Sequence, residues 1–206
     1  MARAPAVADI DTLPEADRLE GFPHPRETRR LYGHAGAEQL FAEALASGKM
    51  HHAWLISGAE GIGKSTLAYR VARAALARPN ERDAFSLGLD IDPASSTARQ
   101  VLALSHPGLV VIRRTYDAKN KRFAATISVD EVRRLRNFLG LSAEAQGWRA
   151  VIVDTADELN INAANALLKS LEEPPPATVF VLTSATPGVT ASHGANDVRT
   201  ITTTGR

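Results

Sequence analysis

The run Gly58-Ala-Glu-Gly-Ile-Gly-Lys-Ser65 sets glycines, a lysine and a hydroxyl at the spacing G-x-x-x-x-G-K-[ST]. Glycines let successive backbone amides turn inward and approach phosphate oxygens closely. The amides at the start of a following helix add the positive end of its dipole. Lys64 would reach the outer phosphates of a nucleotide, and the Ser65 hydroxyl would ligate a magnesium ion bridging two of them. The metal calls for a carboxylate as well. The apolar run Val151-Ile-Val ends in Asp154, which suits that role. Hydrolysis needs one more group, to orient or deprotonate the attacking water. Many loop ATPases carry a glutamate directly after the strand aspartate; here the residue is Thr155, whose hydroxyl is a poor base. Asp157 and Glu158 follow where the chain should already be turning away. The expectation is ATP and Mg2+ binding with weak or no intrinsic hydrolysis, and no catalytic residue is assigned.

These residues need a strand before the loop, a helix after it, and a second strand for Asp154. "AWLISG" reads as a short buried strand, and "KSTLAYRVARAALAR" as a helix with Leu67, Val71 and Ala75 inward, stopped near Pro79. Upstream, "HAGAEQLFAEALASGKM" is helical, with Leu40, Phe41, Ala44 and Leu45 on one face. Downstream, "TARQVLALS" forms a short helix, "GLVVIRR" a strand, and "TYDAKNKRFAAT" a long turn or exposed hairpin. Ser128-Val-Asp-Glu131 matches a capping box and opens another helix. "RAVIVD" is wholly apolar, as a strand covered on both faces should be. "NAANALLKSLEE" is a helix stopped by Pro174-Pro175-Pro176, and "ATVFVLTSA" is the next strand. Strands alternating with helices imply a parallel sheet clad on both sides. Residues 1–30, broken by four prolines, read as a loose, flexible arm. Residues 188–206 show no core periodicity.

The 206 residues suit one domain of ordinary size, and a net charge of +1 advertises neither nucleic acid nor a membrane surface. Cysteine is absent, which removes disulfides, thiolate zinc sites and cysteine nucleophiles together. No apolar run reaches the length of a membrane span, and the start of the chain lacks a hydrophobic signal core. A cytoplasmic location is expected.

"HHAWLISGAEGIGKSTLAYRVARAAL", "SHPGLVVI", "ISVDEVRRLRNFL" and "WRAVIVDTADELNINAANALLKSLEEPPPATVFVLTSATP" occur in that order. Together they resemble the AAA+ clamp-loader subunits of bacterial DNA polymerase III, the delta-prime type in particular. The resemblance runs from about Pro23 to about Pro187, with "NAANALLKSLEEPP" its most specific segment. It implies a three-layer αβα P-loop NTPase core of α/β class over residues 31–187, the first of three family domains, with the lid and collar domains lacking. It also implies that Gly58, Gly61, Gly63, Lys64, Ser65 and Thr66 line a nucleotide and that Asp154 faces its magnesium. Tyr32 to Gln39 would pack against adenine, and Thr183 and Ser184 stand at the place of a polar sensor. The implied work is mechanical: a scaffold subunit that joins delta and tau/gamma subunits to place a sliding clamp on primed DNA. Nucleotide addition would belong to the holoenzyme, not to this chain.

Three departures qualify that picture. Relatives carry four zinc-binding cysteines after the P-loop helix, whereas residues 79–97 here hold none, so no zinc is expected. Thr155 stands where the acid would be. After "TSATPG" the family's Ser-Arg-Cys arginine finger is missing and Arg199 is wrongly spaced to replace it, so residues 188–206 read as a truncated or frameshifted, disordered tail. The competing readings are an independent P-loop ATPase or phosphotransferase, and a fragment without function. A kinase would need a second basic cluster for its acceptor, which the sequence does not offer. Arg133, Arg134 and Arg136 read as a solvated helix face, His51, His52 and His106 as structural, and Trp54 and Trp148 as core.

Overall fold

The computed structural model describes residues 14–28, 30–82, 88–141, 147–186 and 198–204. Five strands form one parallel sheet in the order β2-β5-β6-β1-β7: β1 is Ala53–Ser57, β2 Leu109–Ile112, β5 Arg149–Val153, β6 Thr178–Ser184 and β7 Arg199–Thr202. The three inner strands are buried at every residue, because both faces are covered.

Alternate residues of the inner strands feed two separate cores. Trp54, Ile56, Ala150, Ile152, Val179 and Val181 meet helices α1 (Ala35–Ala46), α2 (Lys64–Leu76) and α3 (Ser96–Leu102). Ala53, Leu55, Val151, Val153, Phe180 and Leu182 meet α4 (Val129–Leu141) and α5 (Ile161–Glu172). The period of two thus builds the three layers expected from the sequence. A short antiparallel hairpin, β3 (Tyr116–Asp117) and β4 (Arg122–Phe123), accounts for the polar "TYDAKNKRFAAT".

Local chemistry explains the helix ends. Asn160 caps α5 by accepting from the Ala163 amide at 2.8 Å, and Ser95 caps α3 by accepting from Ala98 at 3.1 Å. At α4 the Glu131 amide donates to Ser128 Oγ at 3.4 Å, one half of the capping box, while the Glu131 carboxylate accepts from Arg134 in an i,i+3 ion pair. In α1 the inward face is Ala37, Phe41 and Ala42, while Leu40, expected inside, is 42% exposed.

Three stretches differ from their expectations. Within 79–97, taken as loop, a turn of 3-10 helix spans Pro79–Glu81 and Arg82 bridges Ile91; residues 83–87 lie outside the described set. The buried Glu81 carboxylate accepts from the Arg78 amide, the Thr97 amide and Thr97 Oγ1 at 3.0, 3.1 and 2.6 Å. It staples the two ends of the segment. Of the tail, residues 187–197 and 205–206 lie outside the described residues, yet Arg199–Thr202 form the edge strand β7 beside β1. Its burial is slight, which is why no core period marks it; backbone pairing rather than side-chain burial holds it in place.

The third stretch is the arm. Residues 1–13 lie outside the described residues, but 14–28 are tied down rather than loose. Glu15 takes a fork of bonds from Arg26 Nη1 at 2.7 and 2.8 Å, and pairs with Arg113. The fully buried Asp17 side chain accepts from Arg113, from Tyr69 Oη at 3.0 Å and from His24 Nε2 at 3.1 Å. The Arg26 amide donates to His24 Nδ1, which leaves Nε2 to donate to Asp17. Arg26 Nε also reaches the Leu102 carbonyl at 2.8 Å, and Arg73 reaches the Arg26 carbonyl at 3.1 Å. The segment is polar and proline-rich, so its order comes from ion pairs to distant residues, which no local period reports.

Candidate nucleotide site

Strand β1 delivers the loop 58–63 into the start of α2. Gly63 is the N-cap of α2 with φ +97, and Gly61 has φ +77, conformations in which a side chain is strained. A β-carbon on Gly63 would also meet Leu31 Cδ1 at 2.7 Å. Gly58 is required for a different reason. A β-carbon there would lie 2.4 Å from the Thr203 carbonyl oxygen, so the edge strand passes directly against the first loop glycine. Thr203 secures this contact by donating from its amide to the Ser57 carbonyl at 2.8 Å and from Oγ1 at 3.2 Å.

Lys64 Nζ donates to the carbonyls of Gly58 and Ala59 at 2.9 and 2.6 Å, which holds the ammonium within the loop. Burial pushes its pKa down, while the carboxylates of Asp154, Asp157 and Glu60 push it up; burial prevails. Asp154 directly follows β5 and is 5% exposed. Its carboxylate accepts from Thr183 Oγ1 and from the Ser65 hydroxyl. Burial raises its pKa; the two hydroxyls and Lys64 lower it less, and Asp17 nearby adds to the rise. Ser65, Thr183 and Asp154 are therefore brought together. Thr66 is buried in the first turn of α2.

The segment expected to meet a base also reaches the loop. His34, buried at the N-cap of α1, bonds through Nε2 to the Ile62 carbonyl at 2.6 Å, while Tyr32 is 75% exposed. Arg199 is far from the loop in the strand: it is paired in register with Trp54 at the opposite end of β1 and lies over the Trp54 ring at 5.7 Å.

Past Asp154 the chain enters a 3-10 turn over Ala156–Glu158. Asp157 accepts from Ser184 Oγ at 2.8 Å and from the Ala185 amide at 2.7 Å. Glu158 pairs with Arg114 at 2.8 Å. Both acids are committed to holding neighbouring chain.

The donor set fits a phosphorylated ligand with a hard divalent cation. Ser65 and Asp154 offer hydroxyl and carboxylate oxygens side by side, the kind magnesium prefers, and Asp154 is a buried carboxylate whose protein partners are chiefly neutral hydroxyls. Among the described residues no group of three or more His, Cys, Asp or Glu makes a metal cage. A cation here would take its other ligands from phosphate and water. Two residues beside the site had no signal in the motif: Arg113, next to Asp154 across the sheet, and Thr203, against Gly58. Both depend on strand pairing between segments far apart in sequence.

Among the described residues no helix is long and apolar enough to cross a membrane. Residues 33–189 match the family model described as DNA polymerase III, delta subunit. The delta-prime subunit of Pseudomonas aeruginosa is 38% identical over 152 residues, covering 73% of this chain and 42% of that protein. The gamma subunit of Buchnera aphidicola (subspecies Schizaphis graminum) is 27% identical over 160 residues, covering 77% and 39%. The crystal structure of a DNA polymerase III gamma-subunit-related protein from Thermotoga maritima superposes with a TM-score of 0.47 and 17% identity, over 80% of this chain and 45% of that one. The chain spans about two fifths of the length of the curated relatives it matches. Since the family match takes in more than half of the residues, loop, Asp154 strand and "NAANALLKSLEEPP" helix included, this chain belongs to the DNA polymerase III delta-subunit family of clamp-loader proteins.

Proposed function

We propose that the chain is a clamp-loader subunit that binds ATP with Mg2+ and serves as a scaffold, with weak or no hydrolysis of its own. The carrying observation is the juxtaposition of Lys64, held in the loop by two carbonyls, with Ser65 and the buried Asp154. Lys64 and the loop amides bind and orient the phosphates. Ser65 and Asp154 would hold the magnesium ion, which would supply charge neutralisation to the phosphates. Thr183 orients the Asp154 carboxylate. The hydrolytic step lacks a base in the right place: Thr155 follows Asp154, Asp157 is spent on Ser184 and Ala185, and Glu158 on Arg114.

On this reading the subunit works through contacts with sister subunits of the delta and tau/gamma kinds, with the sliding clamp, and with primed DNA through the assembled complex. Its place of work is the cytoplasm. Titration of the chain with ATP and Mg2+, beside a phosphate-release assay and a Lys64→Ala control, tests the proposal. Saturable binding that Lys64→Ala weakens about a hundredfold, with negligible turnover, is expected. Rapid phosphate release by the isolated chain would reject the scaffold and favour an independent ATPase.

A further inference from the structure

Arg113 stands at the level of the metal-facing carboxylate. In the β2–β5 ladder Ile112 pairs with Val153, and the Asp154 amide donates to the Ile112 carbonyl at 2.9 Å. The next residues on each strand, Arg113 and Asp154, are therefore neighbours across a gap of about 5 Å between backbones. Both side chains have partners linked to α2: Asp154 bonds Ser65, while Arg113 bonds Asp17, which bonds Tyr69. A guanidinium in that position is the natural partner for a buried carboxylate, and its forked geometry would cover both carboxylate oxygens.

The chain instead gives Arg113 two other acids. Glu15 takes Nη2 and Asp17 takes Nη1. Each acid is braced from behind, Glu15 by the Arg26 fork and Asp17 by His24 and Tyr69. Asp154 is left to the hydroxyls of Thr183 and Ser65. Glu15 and Asp17 lie before the resemblance that starts near Pro23 and outside residues 33–189 matched by the family model.

We propose that this arm is a charge strap on the nucleotide site: Glu15 and Asp17 hold Arg113 so that it does not close on Asp154, and the Asp154 carboxylate stays available to a divalent cation. The inference rests on the ATP–magnesium reading above. Glu15, Asp17 and Arg113 are positioning residues. They touch neither ligand nor metal and act by deciding which partner Asp154 has.

The test is calorimetric ATP binding by the full chain, once with Mg2+ and once with EDTA. The readout is the ratio of the two affinities. In the Glu15→Gln/Asp17→Asn double variant the gain from Mg2+ should shrink about tenfold or more, while binding in EDTA persists. Adding Arg113→Gln to that variant should restore the gain, because the released guanidinium is gone. A strap with only a structural role predicts no such rescue. Arg113→Gln alone should keep the gain within about threefold of the parent chain, and it decides the matter if the double variant does not fold. Two results would overturn the strap: an unchanged magnesium gain in a folded double variant, or a lost gain in Arg113→Gln alone. A parent chain that binds no ATP would overturn the nucleotide reading and the strap together, a result distinct from either.

Discussion

The arm and the nucleotide site each bury a carboxylate, and the two acids are treated in opposite ways. Asp17 is surrounded by donors. Burial by itself would raise its pKa, but the His24 bond, the Arg113 charge and the Tyr69 hydroxyl bring it down to about 2 from 3.8. Asp154 is also buried, yet its neighbours are mainly neutral hydroxyls, and its pKa is raised. A buried charge that the chain itself satisfies is structural; on the proposed reading, one left to hydroxyls is held ready for a cation at some cost in stability. The same contrast separates the arm's paired arginine, Arg113, from Lys64, whose ammonium rests on backbone carbonyls alone.

Replacement of the two acids should expose the contrast most strongly. Asp17→Ala leaves Arg113 and His24 without their shared partner, and a broken buried pair costs about 3–5 kcal/mol. Urea unfolding would read this as a lower midpoint. Asp154→Asn should leave the unfolding free energy unchanged or raise it by about 0.5–2 kcal/mol, while removing the magnesium gain in ATP binding. If the two variants lost equal stability, the distinction between paired and poised carboxylates would fail.

Next in size, Lys64→Ala should weaken ATP binding about a hundredfold, roughly 2.7 kcal/mol, with little change in unfolding. Glu81 belongs on the structural side of the comparison. Burial opposes its charge, but the Thr97 and Arg78 donors hold its pKa near 2. Glu81→Gln removes an acceptor for those donors and should cost about 1–3 kcal/mol, with ATP affinity unaltered. Loss of ATP affinity in that variant would mean that the 78–97 staple serves the site after all.

Acid titration sharpens the comparison further, since the two acids have opposite signs. The folded pKa of Asp17 lies below its unfolded value, so its stabilisation is complete above about pH 3.8 and is lost as pH falls through about 2. The folded pKa of Asp154 lies above its unfolded value, so its cost is present at neutral pH and is relieved on acidification through the raised value. Asp17→Asn should flatten the fall in unfolding free energy between pH 4 and 2, and Asp154→Asn should not. The smallest effect belongs to the exposed pair of Arg133 and Asp130, 65% and 78% exposed: Arg133→Ala should change stability by less than about 0.5 kcal/mol.

Much of the site was legible because its geometry is local. Gly61 and Gly63 are needed for the turn they make, Lys64 and Ser65 open the next helix, and Asp154 closes an unbroken apolar strand. Only the structure names the partners of Asp157 and Glu158, which are Ser184 and Arg114. The arm and the edge strand were not legible. Pro14 to Thr28 carry no hydrophobic period, and Arg199–Thr202 bury little.

By itself, then, the sequence determined the strand–loop–helix unit, the two-sided sheet and the local turn of the glycine loop, because period, glycine spacing and helix caps act over a few residues. Only the tertiary structure decided that Asp17 reaches Arg113, that Thr203 sits against Gly58, and that Arg113 stands beside Asp154. Those contacts join segments far apart along the chain. Ion pairs and strand pairing set them through distance in space, and separation along the chain carries no record of that distance.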